Sequence, residues 1–161
     1  MPSFVHLAPE SMIRAIEKNG IAPRSKHQGL NGLYAMPVTR NFYASHQWLR
    51  ELRRRGTRAL AAVYFRIPDD ENVVVGHYRQ AHQEMTAAAA AGLIDELAPA
   101  EGFEVFIKRR ITPKELSKVK SLPQVIGWRF YPEAKGKKPF CTCEFCIRGE
   151  IRASRFRDTQ E

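Results

Sequence analysis

Cysteine is scarce in this chain: there are three, Cys141, Cys143 and Cys146, crowded into "CTCEFC". An odd number argues against a disulfide framework in a cytoplasmic protein. Long apolar runs are missing as well. Residues 87–91 are five alanines in a helix-like segment, not a membrane anchor. The opening "MPSFVHLAPE" has neither the basic start nor the apolar stretch of a signal peptide, so the expected address is the cytoplasm, with no membrane partner. No Gly-rich phosphate fingerprint follows a strand, which argues against a Rossmann sheet. Repeats and long linkers are lacking too.

What is present is ordinary core material and an excess of positive charge. Hydrophobic residues make up 43% and charged ones 27% of 161 residues, enough for one compact domain with a real core. Against 17 Asp and Glu stand 26 Lys and Arg, a net charge of +9 that favours an anionic partner. The excess is clustered at Arg50, Arg53, Arg54, Arg55 and Arg58; at Lys108, Arg109, Arg110 and Lys114; and at Lys135, Lys137 and Lys138. Any one cluster reads as a solvated face; together they lean towards a polyanion such as nucleic acid.

Periodicity gives the elements. "HLAPESMIRAIEKNGI" reads as a strand end and then a helix stopped by Gly20, with Met12, Ile13 and Ile16 at helical spacing. "GLYAM" is a brief strand after a loop, and "NFYASHQWLRELRRRG" a second helix along Phe42, His46, Leu49 and Arg53. "RALAAVYFRI" alternates as a strand stopped by Pro68 and two aspartates, and "NVVVGHY" is another. "RQAHQEMTAAAAAGL" predicts a helix ending at Gly92, and "TPKELSKV" a helix with a capping box from Thr112 to Glu115. In "GFEVFIKRR", Phe103, Val105 and Ile107 share one strand face while Glu104, Phe106 and Lys108 share the other. "QVIGWRFY", residues 124–131, closes the series. The fold class is α+β with a mostly antiparallel core. The basic stretch "PEAKGKKP" marks the one boundary, between a domain over 1–131 and a Cys-rich element over 132–161.

Three candidates for chemistry stand in order: His6, then Tyr34 in "GLYAMPVTRNFYASH" with Tyr43 nine residues on, then Glu104 on an aromatic-Glu-Val-aromatic-Ile strand. This order resembles the ADP-ribosyltransferase superfamily, in its His-Tyr-Glu branch that includes the poly(ADP-ribose) polymerase catalytic domain. Gly32-Leu33-Tyr34-Ala35 and Thr39-Arg40-Asn41-Phe42-Tyr43 match the second motif, and "MIRAIEKNGI" is similar to the helix that follows the histidine. One departure is plain: His6-Leu7-Ala8 stands where the family has His-Gly-Thr/Ser, so Leu7 fills the place of a Gly that lets the ligand close in.

The resemblance implies a split, mostly antiparallel sheet with flanking helices, and NAD as substrate. It implies that Glu104 is the catalytic carboxylate, since breaking the nicotinamide–ribose bond builds positive charge on the ribose, as in glycoside hydrolysis. It also implies that His6 binds a ribose hydroxyl and that Tyr34 and Tyr43 flank the nicotinamide ring. Arg40 and neighbouring basic groups would face the pyrophosphate. The acceptor stays open between nucleic acid and protein. Two rival readings stand beside it: an NAD-using RNA 2′-phosphotransferase, against which Glu104 counts, and a non-catalytic nucleic-acid-binding protein. Cys141, Cys143 and Cys146 suit a structural Zn2+ whose fourth ligand would be His27, His46, His77 or His82, or else they are three reduced thiols in a turn.

Overall fold

The computed structural model describes residues 1–39, 47–49, 51–53, 59–97 and 102–122. Among the described residues, eight strands in one sheet carry the fold: β1 (Ser3–Pro9), β2 (Ser25–His27), β3 (Leu30–Pro37), β4 (Leu60–Arg66), β5 (Asn72–His77), β6 (Gln83–Thr86), β7 (Phe103–Ile107) and β8 (Leu116–Ser121). Their order is β6-β5-β7-β3-β1-β4-β8, with β2 paired to β3, and the strand pairings are antiparallel. The helices are α1 (Ile13–Asn19) and α2 (Ala87–Glu96), with 3-10 turns at Glu10–Met12 and Pro113–Glu115; residues 47–49 and 51–53 are also helical. This is the mixed, mostly antiparallel class the sequence predicts. No helix among the described residues is long and apolar enough to cross a membrane.

Strand alternation builds the core. Phe4 and Ala8 from β1, Leu33 and Ala35 from β3, Val63 and Phe65 from β4, Val73 and Val75 from β5, and Val105 and Ile107 from β7 are all buried in one cluster. Fully burying a side chain of this size stabilises the fold by roughly 1.5–3 kcal/mol. Helix α2 adds Ala87, Ala90 and Ile94, which lie on one stripe and are buried in the same core. Its start is capped by Thr86, whose Oγ1 accepts from the Ala89 N–H at 3.2 Å.

Two predicted helices change. In "RQAHQEMTAAAAAGL", Gln83–Thr86 pairs with β5 as a strand, the helix begins only at Ala87, and it runs through Gly92. Ladder pairing outweighs the helical propensity of the segment. In "TPKELSKV" the capping box between Thr112 and Glu115 is present, but it closes a single 3-10 turn, and Leu116–Ser121 pairs with β4. The second face of β7 also differs from a half-exposed strand, because Phe106 is fully buried. The strand at 124–131 and the boundary at 131/132 lie outside the described residues.

The line of β3 positions the site. Its residues Leu30, Asn31 and Gly32 pair with β2, Met36 and Pro37 pair with β1, and Leu33 to Ala35 pair with β7. Among the described residues the pairing of β1 with β3 covers Met36 and Pro37 and stops short of Tyr34. β1 and β3 part there.

Candidate active site

The parting of β1 from β3 opens a cleft of about 500 Å³, within the usual size of small-molecule sites. His6, Tyr34 and Glu104 all line it, one from each of the neighbouring strands β1, β3 and β7. Ser25, Met36, Trp48 and Tyr78 complete most of the wall. The described lining holds one carboxylate and neither Lys nor Arg.

His6 replaces the missing ladder contact. Its Nδ1 lies 2.7 Å from the Tyr34 carbonyl oxygen. A carbonyl only accepts, so Nδ1 carries the proton and donates it. Burial lowers the His6 pKa and outweighs the opposing pull of that hydrogen bond, so the ring is neutral near pH 7. In the neutral tautomer with Nδ1 protonated, Nε2 is a bare acceptor.

Tyr34 is kept a phenol. Burial, and then the negative charge of Glu104, raise its pKa above the ordinary tyrosine value. Its hydroxyl meets His27 Nδ1 at 3.1 Å, and its ring lies 5.1 Å from Phe106, its partner across the β3–β7 ladder. Burial and the neighbouring His82 hold the His27 pKa below its ordinary value.

Glu104 stands on the same face as Phe106, its side chain 16% exposed, and His82 Nε2 sits 3.1 Å from its Oε1. Two glycines clear this face for the rings. A Cβ on Gly32 would come within 2.4 Å of the Phe106 ring, and one on Gly76 within 2.9 Å of the His82 ring. Gly76 is also the residue directly opposite Glu104 in the β5–β7 ladder. Close approach, not backbone freedom, requires both glycines.

The far wall is tied to the start of β7. Trp48 Nε1 donates to the Phe103 carbonyl at 3.0 Å, and Gln47 Oε1 accepts from the Gly102 N–H. Tyr78 then meets Trp48 edge to face, with centroids 6.1 Å apart.

Sequence reasoning missed His27, His82 and Trp48 as parts of this neighbourhood. The signal for His27 lies in "HQGL": Gln28 and Gly29 both have positive φ, 48° and 83°, in a two-residue hairpin that puts His27 on the Tyr34 face. Of the other expected residues, Arg40, Tyr43, His46, Cys141, Cys143 and Cys146 lie outside the described residues. Among the described residues no group of three or more His, Cys, Asp or Glu is placed to hold a metal ion. His77 accepts from the Arg79 N–H at 3.2 Å and stacks on Tyr78.

Two of the basic residues thought to face a polyanion are met within the chain. Lys108 pairs with Glu84, and Arg109 forms forked pairs with both Glu71 and Glu115 at 2.6–3.0 Å. Of the first cluster Arg53 is described and Arg50, Arg54, Arg55 and Arg58 lie outside the described residues, as do Lys135, Lys137 and Lys138. No family model, curated protein or solved structure matches the chain.

Proposed function

We propose that the chain is an NAD-dependent ADP-ribosyltransferase whose donor site is the cleft between β1 and β3. The observation that carries this reading is that His6, Tyr34 and Glu104, far apart in sequence, line one cleft of small-molecule size. The parting of the two strands at that point supports the split-sheet fold that the motif order implies.

The cleft's chemistry suits the nicotinamide half of NAD. The oxidised nicotinamide ring is cationic, and the described wall offers a carboxylate and aromatic rings with no opposing Lys or Arg. Tyr34 supplies a ring face and a phenol that stays protonated. His6 Nε2 accepts from a ribose hydroxyl, because its only proton is committed to the Tyr34 carbonyl. Arg40 and Tyr43, the further NAD-binding residues of the proposal, follow β3 directly in sequence.

In the reaction the nicotinamide–ribose bond breaks and its electron pair leaves with neutral nicotinamide. Positive charge develops on the ribosyl carbon and ring oxygen. Glu104 stabilises it in a site with little water, then takes the proton of the acceptor nucleophile as that nucleophile bonds to the same carbon. The acceptor class proposed is nucleic acid or protein.

The test is nicotinamide release from NAD by the full chain. Glu104→Gln keeps the side-chain volume but removes the charge, and should lower the rate by about 10²–10³-fold, the usual size for losing one electrostatic stabiliser. Thermal unfolding should stay close to wild type. Wild-type turnover in that variant would refute the assignment.

A further inference from the structure

We propose that His82 is a positioning residue for Glu104, fixing the carboxylate in the orientation the transferase reaction uses. This rests on the function proposed above. The His82 side chain is only 3% exposed and is held at both nitrogens. Nδ1 lies 3.1 Å from the Gln80 carbonyl, which can only accept, so Nδ1 carries a proton. Nε2 faces Glu104 Oε1 at 3.1 Å, and that contact closes on one shared proton.

The ring itself cannot turn away. On one side it packs on Gly76, where a Cβ would stand 2.9 Å from its Cγ. His27 lies against it with centroids 4.4 Å apart and planes at 60°. The titratable groups facing it are therefore Glu104 from β7 and His27 from β2, with Tyr34 one contact further on. A glutamate has three side-chain torsions and, unpinned, spreads over several rotamers. A reacting carboxylate needs placement to about 0.5 Å. With both nitrogens protonated the ring supplies that constraint, donating to the Glu104 carboxylate from a place fixed by the Gln80 carbonyl and by the space that Gly76 leaves.

The experiment measures steady-state nicotinamide release by the full chain as wild type, His82→Leu and His82→Gln. Leu removes the donor, and kcat should fall by roughly 100-fold, the scale of a misplaced reacting group, with KM close to wild type. Gln, whose amide N–H can reach the carboxylate, should recover most of kcat. Equal kcat in all three, or a loss confined to KM, overturns the proposal. Gly76→Ala presses on the ring from β5 without touching its nitrogens and should reproduce the kcat loss; an unchanged kcat again overturns it.

A second arm needs neither turnover nor a variant at position 82. In ¹⁵N imidazole spectra, Glu104→Gln should move the His82 Nε2 resonance and leave Nδ1 nearly in place. An unmoved Nε2 would show that the contact does not exist. If wild type releases no nicotinamide while Nε2 does move, the contact stands but the transferase reading fails, and the positioning role fails with it.

Discussion

Single atoms decide much of the cleft. At Gly32 an added methyl would meet the Phe106 ring at 2.4 Å and the Ile107 carbonyl oxygen at the same distance. Neither can yield easily, because Phe106 is fully buried and Ile107 is held in the β3–β7 ladder. Gly32→Ala should therefore lower unfolding free energy by about 1–3 kcal/mol, the usual cost of overpacking, read by denaturant titration. His6 gives a pH signature. Its folded pKa lies below the ordinary 6.5, so the unfolded chain binds its proton first as pH falls. Stability should decline below pH ~6.5, and His27, shifted the same way, adds to the decline. Nicotinamide release should fall at lower pH still, as pH passes through the depressed folded pKa of His6, because a protonated Nε2 donates where the ribose hydroxyl needs an acceptor. A melting temperature that rises between pH 7.5 and 5.5 would contradict this account of both histidines.

Elements are joined by one side chain in particular. Arg109, just past β7, reaches Glu71 before β5 and Glu115 in the 3-10 turn before β8. Burial alone would raise the Glu115 carboxyl, but hydrogen bonds from Arg109 and from the Thr112 N–H and hydroxyl outweigh it and hold its pKa low. That contribution is present above the unfolded carboxylate pKa and is lost as pH falls through the folded value. Arg109→Met leaves two half-buried carboxylates together. With the guanidinium itself over a third exposed, the loss should be roughly 1–2 kcal/mol in urea unfolding at pH 7, shrinking at acid pH.

The same stretch shows where sequence reading stops. Strand β4 was legible because its apolar residues alternate up to Pro68 and two aspartates, β5 because it is short and β-branched, and β7 because Phe103, Val105 and Ile107 alternate after the turn at Gly102. "TPKELSKV" was not. A Thr-Pro start with Glu at the third position caps a single turn as well as a helix, and the half-buried Leu116 and Val119 are three apart. That helical-looking spacing comes from the register shift at Tyr64/Phe65 on the partner strand β4. In the site, His6, Tyr34 and Glu104 could be picked out by their order. His82 could not, because its partner Glu104 is 22 residues away and only the β5–β7 ladder brings the two together.

At the scale of the whole molecule, one topological fact builds the site. β1 and β7 flank β3, so a histidine, a tyrosine and a glutamate from distant parts of the chain share a cleft where β1 and β3 part. The net charge of +9 is a property of the full chain, and Lys108 and Arg109 are balanced within it by Glu84, Glu71 and Glu115. An anionic ligand therefore has to be recognised through other residues than Lys108 and Arg109. Replacing Lys108 by Gln should leave NAD turnover within about twofold of wild type, since a partly exposed ion pair contributes little. The most direct measurement is a crystal structure of the full-length Glu104→Gln variant with NAD, the substitution slowing turnover. The nicotinamide ring should lie against Tyr34, with a ribose hydroxyl at His6 Nε2 and the anomeric carbon beside residue 104. NAD bound elsewhere, or an empty cleft at saturating NAD, would contradict it.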